Sequence, residues 1–280
     1  MTVRQVPILF SPRLHIHRFI LTIAVTAFAL SAACARGVPS LPGGAGTPFT
    51  DFGPAYEQAT SRCRQVRTFA GVLGLSGRAG DQAVRGSVDA GFAEGGRIRL
   101  EGKPPALAFG KPIFILAGRG GEATLVLPRD NRVLPGAPTK DIIDALAGIA
   151  LTADELRAAV SGCGFGIVSP TAARSYANGW LALEAGETTI WLRNINGAWT
   201  PAAAVRGPLE IRYDQVSGPY PGRIRIRTAP TGGAVAADIT LRVSDVDVNI
   251  ELGPEAFTVA IPDGAGPLTL DELRRSRMGG

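Results

Sequence analysis

Histidine is nearly absent from this 280-residue chain, and both copies, His15 and His17, fall among the first eighteen residues together with Arg4, Arg13 and Arg18. No acidic residue precedes Asp51, lysine occurs only at 103, 111 and 140, and cysteine only at 34, 63 and 163. Beyond residue 18 there is thus no imidazole for a Ser-His or Cys-His nucleophile pair, and the commonest metal ligand is missing. Composition argues against an enzyme or a metalloprotein, and no cofactor is expected. Aromatics make up only 6% of residues, too few to interleave with basic strips for nucleic-acid binding. The apolar run Phe19 to Ala33 is fifteen residues long, short of the about 20 that a membrane-spanning helix needs.

That run has the length of a signal-peptide core, preceded by a basic region and followed by small residues. Removing residues 1–33 discards both histidines and three arginines, so the formal net charge falls from +5 to about +2. Leu30-Ser31-Ala32-Ala33-Cys34 resembles the bacterial lipobox, which makes Cys34 a lipid-anchored N-terminus. Ordinary cleavage and a soluble secreted protein is the alternative. Ala35 stands where an Asp would resemble an inner-membrane retention signal, so the expected location is the periplasmic face of the outer membrane. Cys63 and Cys163 then remain as an even pair in a compartment that tolerates disulfides, either bonded or as two buried thiols.

Residues 34–54 are rich in Gly and Pro and read as a lipidated flexible tether. Ala55 to Val66 can form a helix with Ala55, Ala59, Cys63 and Val66 on one stripe. From Arg67 the apolar period changes to two. Leu209 to Asp214 alternates without error, and the segments 97–101 and 223–227 repeat the pattern, placing Ile98, Leu100, Leu209, Ile211, Ile224 and Ile226 on an inner face. Further runs at 67–77, 82–92, 112–118, 122–128, 179–184, 187–193, 197–204 and 256–262, with a register reset near Ser244-Asp245, predict about 11 strands in one curved antiparallel sheet.

Helix punctuation interrupts the strands at 139–162. Thr139 can cap a helix carrying Ile142, Ile143 and Leu146 that ends at Gly148; Thr152 and Glu155 form a capping box for a second, carrying Leu156 and Val160 and ending at Gly162. Thr269 and Glu272 repeat the start signal, predicting a terminal helix over 270–277 within a C-terminal segment 265–280. The acids Asp141, Asp144, Asp154 and Glu155 are accounted for by capping and helix N-terminal placement rather than by catalysis. Gly118-Arg119-Gly120-Gly121 reads as a hairpin turn, and Trp180, Trp191 and Trp199 as packing residues.

The order of elements, and the segment from Asp141 to Leu151 leading into Leu156, Val160 and Gly162, resembles the LolA-like lipoprotein-binding family of the Lol sorting pathway, in particular its outer-membrane receptor, LolB. The resemblance covers roughly 55–262, within a half-barrel domain 55–264, and implies an unclosed, mainly β barrel with short helices as a lid. It further implies a cavity that takes acyl chains of lipoproteins handed over by a soluble periplasmic carrier. The family's inserting loop corresponds to 103–112, where Leu107 and Phe109 sit at a Pro/Gly-rich tip between Lys103 and Lys111. Sequence leaves open whether the barrel is hollow. If it is filled, the chain is a structural or assembly lipoprotein of the envelope acting through protein contacts. In either case a monomer without nucleic-acid partners is expected.

Overall fold

The computed structural model describes residues 40–103, 111–214, 219–229 and 236–278, with side chains described to residue 276. The leader, Cys34, and the loop residues Leu107 and Phe109 lie outside the described residues. Pro42 to Gly280 forms one compact unit.

Its frame is a single sheet of fifteen strands rather than about 11. In chain order these are β1 Thr47–Pro48, β2 Thr68–Ala79, β3 Gln82–Ala93, β4 Arg97–Lys103, β5 Ile115–Arg119, β6 Glu122–Leu127, β7 Arg132–Pro138, β8 Ala172–Tyr176, β9 Trp180–Ala185, β10 Thr188–Ile195, β11 Ala198–Arg206, β12 Leu209–Asp214, β13 Arg223–Thr228, β14 Ala237–Val248 and β15 Gly266–Pro267. The spatial order β1-β8-β9-β10-β11-β12-β13-β14-β2-β3-β4-β5-β6-β7-β15 leaves the sheet unclosed, with β1 and β15 at its edges. Both edge strands are two residues long and contain a proline, which blunts them against further pairing.

The expected run 256–262 is not a strand; Pro254–Phe257 forms a 3-10 turn, because Pro254 fixes φ and Gly253 leads into it. Four strands were not expected. β7 contains Pro135 and Gly136, β8 lacks clean alternation, and β1 and β15 are held only by their neighbours. The expected tether 34–54 is corrected at its C-terminal part. Thr47 and Pro48 pair with β8, the Phe49 amide donates to the Ala173 carbonyl at 2.9 Å, and Phe49 and Phe52 pack beneath the sheet. In β14 the register shifts between Ser244 and Asp247, a bulge that moves the apolar set from odd to even positions.

Four helices occur among the described residues: α1 Gly53–Thr60, α2 Thr139–Ala147, α3 Ala153–Ser161 and α4 Leu270–Met278. Instead of one helix over 55–66, α1 stops at Thr60 and the stripe continues through a 3-10 turn at Cys63–Gln65. Ala55, Ala59, Cys63 and Val66 are all buried. Cys63 and Cys163 are joined by a disulfide with Cα atoms 5.7 Å apart, tying the end of the α1 segment to the residue after the C-cap of α3.

Candidate functional site: the apolar concave face

Strand alternation decides which side chains meet inside the curve. Phe69, Phe92 and Ile98 form a cross-strand row on β2, β3 and β4, and Leu100, Leu116 and Leu125 form the next inward row on β4, β5 and β6. On the other flank Ile211, Ile226 and Ile239 pair in one row, and Tyr213, Ile224 and Leu241 in the next. Each strand turns these residues to one side because side chains alternate with period two. Together with α2 and α3 they make one buried apolar cluster.

The side chains expected to line the interior all belong to it. Ile98, Ile211, Ile224 and Ile226 are fully buried, Leu209 nearly so, and Leu100 is half-buried. Of the lid residues, Ile142, Ile143, Leu156 and Val160 are buried and Leu146 is half-buried. Ile239 and Leu241, the alternating apolar residues of β14, join the surface, and Phe69, Phe92, Leu116, Leu125 and Phe165, which were not singled out from sequence, complete it. A signal was available in the alternation of β2 and β3, but glycines at 71, 74 and 77 interrupt it on β2.

Exposure of this face is graded. Phe69, Phe92 and Ile98 are at 0%, whereas Leu75, Val84 and Leu100, further toward the β2–β3 hairpin, are half-buried. Phe114 lies there too, its ring over Gly102, where a Cβ would come within 2.6 Å of it. The half-open side of the apolar face therefore adjoins the ends of the segment 104–110.

Polar contacts fasten the two helices at their ends and leave the middle apolar. The Thr139 amide donates to the Gly121 carbonyl at 2.8 Å, and the Thr228 hydroxyl to the Gly148 carbonyl at 3.2 Å. Gly148 and Gly162 close α2 and α3 at φ of 68° and 95°, values that favour glycine. At the start of α3 the Glu155 amide donates to the Thr152 hydroxyl at 3.2 Å and the Thr152 amide to the Glu155 carboxylate at 2.9 Å. The Asp154 carboxylate accepts from the Gly96 amide at 2.9 Å, and Arg206 pairs with Glu155 at 2.6 Å. Partial burial raises the Glu155 pKa, but hydrogen bonds from Arg206 and Thr152 outweigh it, so the carboxyl sits below the usual glutamate range. Beyond α3 the Gly164 amide donates to the buried Tyr213 hydroxyl at 2.7 Å. Burial pushes the Tyr213 phenol far up, and it stays neutral.

The C-terminal helix belongs to the same site. Leu268 and Leu273 are buried in the cluster and α4 packs on α2. Arg132 donates to the Pro267 carbonyl at 2.8 Å and pairs with Glu272 at 3.0 Å, while the Gln82 amide reaches the Ser276 carbonyl at 3.4 Å. α4 thus runs from the β7 edge to the β2–β3 hairpin.

A second, smaller cluster sits where α1 covers β9 and β10. It joins Tyr56, Leu181, Leu183, Ile190 and Leu192, and the Tyr56 hydroxyl donates to the Val168 carbonyl at 2.7 Å. Trp180 and Trp191 pack edge to face with centroids 6.2 Å apart. Among the described residues no group of three or more His, Cys, Asp or Glu side chains is arranged to hold a metal ion, and no helix is long and apolar enough to cross a membrane.

No protein-family model matches the chain, and no curated protein does. Among solved structures it is similar to a LolA superfamily protein from Nitrosomonas europaea, at 15% identity and a TM-score of 0.49 over 74% of this chain and 96% of that one. A putative outer membrane lipoprotein-sorting protein domain from Vibrio parahaemolyticus is similar at 10% identity and a TM-score of 0.45, covering 73% and 94%. A DUF1329 family protein from Desulfovibrio piger is similar at 10% identity and a TM-score of 0.42, covering 73% and 96%.

Proposed function

We propose that this protein binds acyl chains on its concave face, beneath α2 and α3, and that it is a LolB-like outer-membrane lipoprotein that receives lipoproteins from a soluble periplasmic carrier or inserts them. The observation that carries the reading is the uninterrupted apolar cluster joining sheet and lid helices, with polar groups confined to the helix ends and one half-open side. Such a surface offers no catalytic cluster and suits a saturated chain. A dozen methylenes buried there gain on the order of 10 kcal/mol before ordering costs. Release requires an apolar alternative close by, which a lipid anchor at Cys34 supplies. Leu107 and Phe109 are the residues assigned to insertion. Their double replacement by Glu is expected to leave folding intact and to stop release into liposomes; unchanged release removes them from the mechanism.

Native mass spectrometry of the mature domain, with and without an acylated peptide, tests the reading. A bound acyl mass supports it, and a bare protein that takes up nothing refutes it. The second reading, a filled barrel acting through protein contacts, is favoured by one observation. Phe69, Phe92, Leu116, Leu125, Ile142, Leu151, Ile211 and Ile224 are all less than 2% exposed, the condition of a close-packed core.

A further inference from the structure

The outer face of the sheet has an unequal charge distribution. Strand register sets three outward rows side by side. The first is Arg212, Arg225, Thr240, Ser76 and Arg85, and the second Asp214, Arg223, Arg242, Gly74, Ser87 and Lys103. The third is Glu210, Arg227, Asp238, Arg78 and Ala83. Counting Asp89, which pairs with Lys103 at 2.7 Å, these three rows hold eight cations against four acids, while Asp245, Asp247 and Glu101 lie on the same face beyond them. The chain from Cys34 onward has a net charge of about +2, so these rows, at about +4, concentrate its basic excess on the part of the outer face toward the β2–β3 hairpin.

Ion pairs hold much of the patch in place. Glu210 pairs with Arg212, Asp214 with Arg223 at 3.2 Å, and Asp238 with both Arg225 and Arg227. Arg85 and Arg242 are exposed and make no ion pair among the described residues. They flank a floor of small residues, Gly74, Ser76 and Ser87, that leaves their guanidinium groups unobstructed. The apolar contacts of the described helices are on the concave side, and the turn 254–258 packs on β4 and β5, where Arg99 donates to the Ala256 and Thr258 carbonyls.

We propose that this outer face of β12, β13, β14, β2 and β3 is a docking surface for an anionic phospholipid membrane. Charge complementarity favours it, because broad, shallow, unpaired guanidinium groups suit dispersed phosphates better than they suit a single ligand. Continuity favours the same occupant: Lys103 closes the middle row and directly precedes the segment 104–110 that carries Leu107 and Phe109. The inference rests on the membrane-side reading of that segment, and adds the surface that orients the domain before insertion.

The test uses the chain from residue 34 carrying Cys34→Ala, so that no acyl anchor contributes, sedimented with vesicles of phosphatidylcholine alone or with about one-third phosphatidylglycerol. Binding to the anionic vesicles only, abolished by high salt, is expected. Arg85→Gln with Arg242→Gln should weaken that partitioning about 25-fold, at about fivefold per basic residue, with an unchanged thermal melt. Equal binding to both vesicle types, or unchanged partitioning of the folded double variant, overturns the proposal, as does capture of an acidic protein without vesicle binding. Acyl-peptide uptake, measured on the same variant, fails only if the binding reading itself is wrong, so the two are separable.

Discussion

Breaking the Cys63–Cys163 bond is the perturbation with the largest expected effect on stability, and it also tests which lid helix moves. The bond spans 100 residues and closes a loop containing β2 to β7, α2 and α3. In the chain-entropy model a loop of that length restricts the unfolded chain by about 4.7 kcal/mol. At a urea slope of about 1–3 kcal/mol per molar, the Cys63→Ser, Cys163→Ser double variant should unfold at a midpoint lower by roughly 1.6–4.7 M. The same bond fixes the C-terminal end of α3 to the α1 segment, whereas α2 has no covalent tie to it. The double variant should therefore show faster amide exchange in α3 and little change in α2 beyond the global loss. A stability loss below about 1 kcal/mol, or exchange raised equally in both helices, would refute the reasoning.

Thr152→Ala removes the side-chain half of the α3 capping box and should cost about 1 kcal/mol, read as a lower urea midpoint; Thr152→Ser should restore it. Tyr213→Phe takes away the acceptor for the buried Gly164 amide and should cost about 1–3 kcal/mol, because that donor is left without a partner. Glu155 and Asp238 have folded-state pKa values below their ordinary ones, Glu155 through Arg206 and Thr152 against the opposing effect of burial, and Asp238 through its hydrogen bond with Arg225. Their contribution is present above the ordinary carboxylate range and disappears as pH falls through the lowered values, so acid titration should destabilise the protein below about pH 4. In Glu155→Gln that acid-dependent loss should shrink, measured by thermal melts across pH. Deleting 266–280 uncovers the β7 edge and the α2 surface beneath Leu268 and Leu273, and should raise binding of a hydrophobic dye at the concave face; an unchanged signal would show that α4 is peripheral.

Strands with strict alternation were legible in the sequence because solvent on one face and a dry interior on the other impose period two. Leu209 to Asp214 and Arg223 to Arg227 are the clearest cases, and their inner residues are the buried ones. The α3 cap was legible for a similar reason: Thr152 and Glu155 satisfy two helix amides from side chains three residues apart. Elements whose existence depends on a neighbour were not. Pro48 and Pro267 sit in edge strands that have no propensity of their own, and the Pro135-Gly136 step in β7 hides a strand that β6 supports with a shifted register. The role of α4 was hidden likewise. Its start signal is explicit, but that Leu268 and Leu273 complete the main core follows from the position of the β7 edge, which local pattern does not encode.

On the proposed reading, the closed lid and the acyl-binding face compete for the same apolar surface. Lifting α2 exposes Ile142 and Ile143, each worth about 1.5–3 kcal/mol when buried, and weakens the packing of α2 against α4. That cost of about 3–6 kcal/mol is less than the roughly 10 kcal/mol an acyl chain gains in their place, so cargo can open the lid without strain stored in the fold. The covalent tie gives the opening a direction: α3 is held by the disulfide, and also by Asp154 on Gly96 and by Arg206 on Glu155, while the disulfide does not reach α2. Because the bound and closed states differ by only a few kcal/mol, delivery depends on the apolar alternative outside. A domain held against a membrane by its basic outer face and an anchor at Cys34 keeps that alternative within reach.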